Sequence, residues 1–185
     1  MSEWNRKRRV MRHYDRIARI YDRQYAEEQK AKIDAIVPHM CLDEKSFVLD
    51  VGCGTGILFS LLAKAQPIIG VDMSIKLLQK AKRYIKKISN AHVICADSDY
   101  LPFQNNVFNI VFAITLLQNI PNPLATLEEI KRTSKNQAII AVTALKKEFS
   151  KENFTKLLDN AQLEILTMKT DEKLKDYIAI CKPIK

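Results

Sequence analysis

Apolar and polar positions along the chain alternate between two rhythms. Short, nearly continuous apolar runs over 46–51, 68–72, 92–96, 107–114 and 138–143 predict buried strands. Between them apolar residues recur every three to four positions, which predicts helices over 57–65, 74–85, 123–134 and 150–160. The second of these has Ser74 as its N-cap and carries Leu77, Leu78, Ala81, Tyr84 and Ile85 at helical spacing. Two further strands, 164–168 and 177–181, are joined by a charged stretch with no helix between them, which requires an antiparallel pair. Residues 5–37 read as one helical segment, free of Gly and Pro until Pro38. Strands alternating with helices imply a parallel sheet covered on both faces, and the absence of in–out alternation within the strands agrees. The expected fold is therefore α/β: a doubly wound, mostly parallel seven-stranded sheet with an antiparallel last strand, helices on both faces and an extra N-terminal helical segment. No repeat or linker interrupts it, so one domain is expected over 1–185, with a basic helical segment at 1–40 and the core at 41–185.

Composition sharpens this picture in three places. At 47% apolar and 28% charged, the chain is neither disordered nor fibrous. No apolar run approaches the roughly 18 residues that cross a bilayer, and residues 1–6 lack the apolar stretch of a secretory signal, so a cytoplasmic, membrane-free protein is expected. Cys41, Cys53, Cys95 and Cys181 form no Cys-x-x-Cys pair, so they are expected as buried reduced thiols, with no metal site. Glycine is scarce: Gly52, Gly54, Gly56 and Gly70 are all there is, and three of them fall within five residues. Glycine is needed where backbone must come close to something or take positive φ. The site is expected there.

In such sheets ligands bind beyond the carboxyl ends of the strands, near the point where strand order reverses. Four strand ends are polar: Asp50 with the glycine cluster, Asp72, Asp97-Ser98, and Thr115-Leu116-Leu117-Gln118-Asn119. Asp72 stands where a carboxylate can take both hydroxyls of a ribose, and Asp97-Ser98 where an adenine edge can be met. The Gly-x-Gly-x-Gly spacing differs from the Gly-x-Gly-x-x-Gly that seats a pyrophosphate. Asp50, two residues ahead, would repel a pyrophosphate but attract an ammonium. A cofactor with a ribose, an adenine and a cationic amino-acid part follows, which describes S-adenosylmethionine.

These residues carry a family resemblance. Over roughly residues 10–181 the sequence resembles the class I S-adenosylmethionine-dependent methyltransferases: residues 48–56 look like the first motif, 70–74 like the second, and 96–103 like the stretch after the third strand. The resemblance implies Gly52 and Gly54 close to the methionine part with Asp50 near it, Asp72 on the ribose, Met73 against the adenine face, and Asp97 with Ser98 at the adenine edge. Residues 14–22 are similar to the N-terminal helix of a branch that includes quinone-ring, tRNA and rRNA methyltransferases. From that branch Tyr21, and less directly Tyr14, take the role of closing over the cofactor. Packing on a shared helical face with Val10, Ile17 and Tyr25 explains them equally well.

The acceptor is read from what surrounds the site. Methyl transfer from a sulfonium asks for alignment and desolvation rather than a metal or a covalent intermediate, and His13, His39 and His92 all fall away from the expected site. The Asn/Asp-Pro-Pro-Tyr/Phe motif of many base-directed aminomethyltransferases is missing, yet Thr115, Gln118 and Asn119 are the candidates to hold and align a base edge. Polar residues finishing a strand before Pro121 are the plainer alternative. Residues 1–23 carry Lys7 and seven arginines against three acidic residues. Arg9, Arg12, Arg16, Arg19 and Arg23 fall within about an 80° arc of a single helix. Guanidinium forks match phosphate oxygens, and local pairing such as Asp15 with Arg19 neutralises only part of the stripe. With almost no residues left over for a cap, an open site and a large substrate are expected. The expected function is S-adenosylmethionine-dependent methylation of a base nitrogen in structured ribosomal or transfer RNA. The alternatives are a small-molecule, quinone-ring-like methyltransferase, or a protein methyltransferase needing a small activator subunit, docked for example on an edge strand near 91–96; otherwise a monomer is expected.

Overall fold

The computed structural model describes residues 2–184 except 44, 63–66, 87 and 89. Among them, seven strands form one sheet: β1 (Val48–Val51), β2 (Ile68–Asp72), β3 (Ala91–Cys95), β4 (Phe108–Ala113), β5 (Ser134–Leu145), β6 (Leu163–Lys169) and β7 (Asp176–Pro183). Their spatial order is β3-β2-β1-β4-β5-β7-β6. The first five run parallel, and β7 is inserted antiparallel to both β5 and β6. Strand order reverses at β1, which has β2 on one side and β4 on the other, so a crevice opens beyond the carboxyl ends of β1 and β4.

Neighbouring residues of each strand feed opposite faces. Leu49, Val51 and Val111 join Leu127, Ile130 and Phe154 on the side of α5 (Pro123–Thr133) and α6 (Lys151–Asn160). Val48, Ile68 and Ile110 join Ile36, Phe59 and Leu78 on the side of α2 (Tyr21–Ile36), α3 (Ile57–Leu61) and α4 (Ile75–Ile85). This is why β1 and β4 show no in–out alternation. Ser74, Asn122 and Ser150 cap α4, α5 and α6 by accepting from backbone N–H groups one turn on. Leu77, Leu78 and Ala81 are buried as expected, whereas Tyr84 is exposed. Positions 63–65 of the helix expected over 57–65 lie outside the described residues.

Two expectations are corrected. Residues 5–37 are two helices, α1 (Glu3–Ile17) and α2, with a turn at Ala18–Ile20. Tertiary bonds override local helix propensity here: Asp15 and Asp22, seven residues apart, are each drawn to a different strand-end loop, and Lys80 Nζ donates to the Arg19 carbonyl at the break (3.2 Å). The five-arginine stripe on one helix is therefore broken. Arg9, Arg12 and Arg16 stay on α1, Arg19 sits in the turn, and Arg23 lies in the first turn of α2. Of the cysteines, Cys53 and Cys181 are buried free thiols, while Cys41 and Cys95 are exposed. No helix among the described residues is long and apolar enough to cross a membrane.

Candidate functional site

The strand ends at the crevice are shaped by backbone that only small residues allow. Gly52 and Gly54 take φ of +77° and +54°. A Cβ on Gly52 would stand 2.9 Å from Leu116 Cδ1. The loop they form turns the Gly54 N–H onto Asp72 Oδ2 (2.9 Å), while the Ser74 N–H donates to Asp72 Oδ1 (2.8 Å). Asp72 is thus fixed across the ends of β1 and β2. Burial pushes its carboxyl above the ordinary value, and these N–H donors oppose that shift. Asp50 lies deeper, 4% exposed, and its pKa is pushed up to about 8 by burial first and the nearby Asp72 charge second. Two carboxylates held in so little water favour a cationic or multiply hydroxylated ligand.

The N-terminal helices roof this pair. Lys7, 6% exposed, reaches Asp97 (2.7 Å) and Asp99. Burial pulls its ammonium pKa down, but hydrogen bonds and charge from both aspartates outweigh that and leave it above the ordinary lysine value. The Ser74 hydroxyl donates to Asp15 (2.6 Å), and the Thr55 hydroxyl to Asp22 (2.6 Å). Tyr14, Tyr21 and Tyr25 form a row with centroids 6.0 and 5.0 Å apart. Burial raises the Tyr14 hydroxyl pKa, with a hydrogen bond from Asn119 opposing, and it raises that of Tyr21 further.

Beneath this roof lies a cavity of about 80 Å³. Its walls bring together Tyr21, Gly52, Gly54, Asp72, Met73, Ser98, Thr115 and Asn119 from the sequence expectation, with Lys7, Val10, Met11 and Tyr14 above. Asp50 lies behind it on a smaller void of about 40 Å³ shared with Tyr21, Gly52 and Gly54. Asp97 is turned to Lys7 rather than to the wall. Pockets for small molecules usually run to roughly 300–1,000 Å³, so this cavity is smaller than a nucleoside-sized ligand needs. In front opens a cleft of about 610 Å³, sharing Tyr14, Tyr21, Thr115 and Asn119 with the cavity and adding Tyr25, Gln29, Gln118, Lys146 and Lys147. None of His13, His39 or His92 lines either space. Between α1 and the start of α4, Arg8, Arg9, Arg12, Arg16 and Lys76 line a groove together with Asn5 and Asp15.

Thr115 joins the two spaces and is strained: its φ is +58°, a region β-branched residues rarely enter and one that costs about 1–3 kcal/mol. Buried partners hold it there. Its N–H donates to Thr143 Oγ1 (2.8 Å), and its Oγ1 accepts from Lys32 Nζ (2.9 Å) and Gln29 Nε2 (3.0 Å). Lys32, Thr143, Asp176, Glu28, Lys7 and Asp99 were not singled out in the sequence. One signal was available: Gln29, Lys32, Ile33 and Ile36 share a helical face, so two polar residues stand within an apolar stripe.

A family model described as a methyltransferase domain matches residues 42–179. Among curated proteins, the malonyl-[acyl-carrier protein] O-methyltransferase of a Marinomonas strain is 29% identical over 148 residues, 78% of this chain and 54% of its own. The demethylmenaquinone methyltransferase of Staphylococcus saprophyticus is 34% identical over 131 residues, 69% of this chain and 55% of its own. The chain thus spans about half the length of the curated relatives it matches. Among solved structures, a Haloferax volcanii complex between the Trm112 methyltransferase activator and a chain described there as its methyltransferase superposes with a TM-score of 0.83 at 16% identity, covering 95% of this chain and 98% of that one.

Proposed function

The chain belongs to the class I S-adenosylmethionine-dependent methyltransferases, and from that premise we propose that it methylates a base nitrogen of structured ribosomal or transfer RNA. The observation that carries this is the groove between α1 and the start of α4, where Arg8, Arg9, Arg12, Arg16 and Lys76 outnumber the single carboxylate of Asp15, on the helix that also roofs the cofactor cavity. Phosphates gripped there would set an RNA directly beside the open cleft.

When bound, S-adenosylmethionine would supply an electrophilic sulfonium methyl to a nucleophile in line with the C–S bond, which breaks to leave S-adenosylhomocysteine. In this proposal Asp72 takes the ribose hydroxyls, Met73 and Ser98 meet the adenine, and Asp50 faces the cationic amino-acid end past Gly52 and Gly54. Tyr14 and Tyr21 exclude water and offer π-faces to the positive charge. Thr115, Gln118 and Asn119 align the incoming base, extruded from its stack to reach the junction of the two spaces. The nitrogen's proton becomes acidic as the new bond forms and passes to water in the open cleft, so no histidine is required.

The test is methyl transfer from radiolabelled S-adenosylmethionine to undermodified total RNA, with Asp72→Ala as control. Label that RNase removes and the control lacks is the expected result. Label appearing instead in a lipid extract would replace RNA with the second candidate, a quinone-ring acceptor, which the demethylmenaquinone relative favours. For a small activator subunit the available surface is β3, an edge strand with one side unpaired, and the Trm112-bound neighbour supports adding such a subunit to the assay.

A further inference from the structure

Lys32 is among the largest fully buried side chains of the described residues, and the proposed function leaves it unused. Its ammonium donates to Thr115 Oγ1 (2.9 Å) and lies in ion-pair contact with Asp176 Oδ1 (2.9 Å) and Glu28 (3.0 Å), while Asp176 Oδ1 receives no hydrogen bond among the described residues. A buried ion pair rarely stabilises a fold better than apolar packing of the same volume would. Its connections point to another use. They close a ring: the Thr115 N–H donates to Thr143 Oγ1 (2.8 Å), the Thr143 hydroxyl to Asp176 Oδ2 (2.9 Å), Asp176 Oδ1 pairs with Lys32, and Lys32 returns to Thr115 Oγ1. Both ends of Thr115 are thereby clamped, which keeps its left-handed turn in place.

The ring also sets a polarity. A hydroxyl oxygen has two lone pairs, and on Thr115 they are filled by Lys32 Nζ and Gln29 Nε2. With Gln29 Nε2 in that role, the hydroxyl proton is left to donate to a third group. On the wall of the same cleft, Gln118 Oε1 is buried with no partner among the described residues, an amide oxygen that wants a donor. The cleft thus offers one donor and one acceptor.

We propose that Lys32 is a positioning residue that makes the Thr115 hydroxyl a fixed donor, so that Thr115 and Gln118 together select an acceptor substrate with a hydrogen-bond acceptor and a donor along one edge, as on a nucleobase. A quinone ring offers acceptors alone. The inference rests on the nucleobase substrate proposed above for the identity of that edge, and is tested apart from RNA labelling.

The full chain, loaded with S-adenosylhomocysteine, is titrated with cytidine and with menadione under ligand-observed NMR. Cytidine is expected to bind more tightly than menadione and to lose about tenfold in affinity, the worth of one good hydrogen bond, in Thr115→Val and equally in Lys32→Met. The double variant should be no weaker than either single one, because both remove the same donor. S-adenosylhomocysteine affinity stays unchanged in Lys32→Met, because Lys32 does not line the cofactor cavity. If Lys32→Met does not fold with Asp176 left unpaired, Lys32→Met combined with Asp176→Asn takes its place. Losses that add, losses that track a fall in S-adenosylhomocysteine affinity, or cytidine binding no better than menadione would each overturn the proposal. Unlabelled RNA alongside variant-sensitive cytidine binding overturns only the RNA substrate.

Discussion

Asp50 is the residue whose chemistry is furthest from ordinary, because a carboxyl with a pKa near 8 is neutral at pH 7 in the unliganded protein. The folded value lies above the unfolded one, so the stabilisation is fully present below about pH 4 and is lost as pH rises through about 8. Between those limits the native state holds a proton that the unfolded chain has released. Stability then falls by up to about 1.4 kcal/mol per pH unit from this group. Thermal melts of the unliganded protein should show Tm falling by about 3 °C per unit between pH 6 and 8 relative to Asp50→Asn; parallel pH curves for the two proteins would contradict the assignment. A cationic ligand reverses the preference, so S-adenosylmethionine binding at pH 7 should release a proton that buffer-dependent calorimetry detects.

At the scale of elements, α1 is tied to the strand-end loops by polar latches: Lys7 on Asp97 and Asp99, and Asp15 on Ser74. Hydrogen bonds to charged groups contribute about 1.5–3 kcal/mol each. Asp15→Ala should therefore speed amide exchange across residues 3–17 by tenfold or more, leaving β1 and β4 unchanged. Exchange that rises equally in the sheet would mean that α1 is part of the core rather than a cover. This element also marks where sequence stops being informative. The strands and the motifs at 50–56, 70–74 and 96–98 were legible because each is local: an apolar run, a glycine cluster, a carboxylate at a fixed offset. The break at Ala18–Ile20 was not, since it depends on loops 33 and 59 residues further on pulling Asp22 and Asp15 apart from one another. Lys7, Lys32 and Asp176 were missed for the same reason. A lysine's meaning depends on whether a distant carboxylate meets it, and in these cases the partners lie 90 and 144 positions away.

For the whole molecule the governing quantity is a net charge of +9, with the arginines gathered at one end of the chain and on the groove side of α1. If that groove grips phosphates, affinity for RNA should fall linearly with salt on logarithmic axes, and Arg12→Ala and Arg16→Ala should each reduce the slope by about 1. A slope untouched by both substitutions would remove α1 from the interface. Melting temperature should not move, because exposed guanidinium groups contribute little to stability. The topology carries a separate consequence. β7 follows β6 in sequence but lies between β5 and β6 in space, so β6 has no neighbour until β7 arrives. The same strand brings Asp176, which closes the ring through Lys32 and Thr115. On the proposed reading, a nascent chain on the ribosome can assemble its cofactor loop early, yet it closes the ring at Thr115 only after residue 176 has emerged, so unfinished chains should be silent as catalysts.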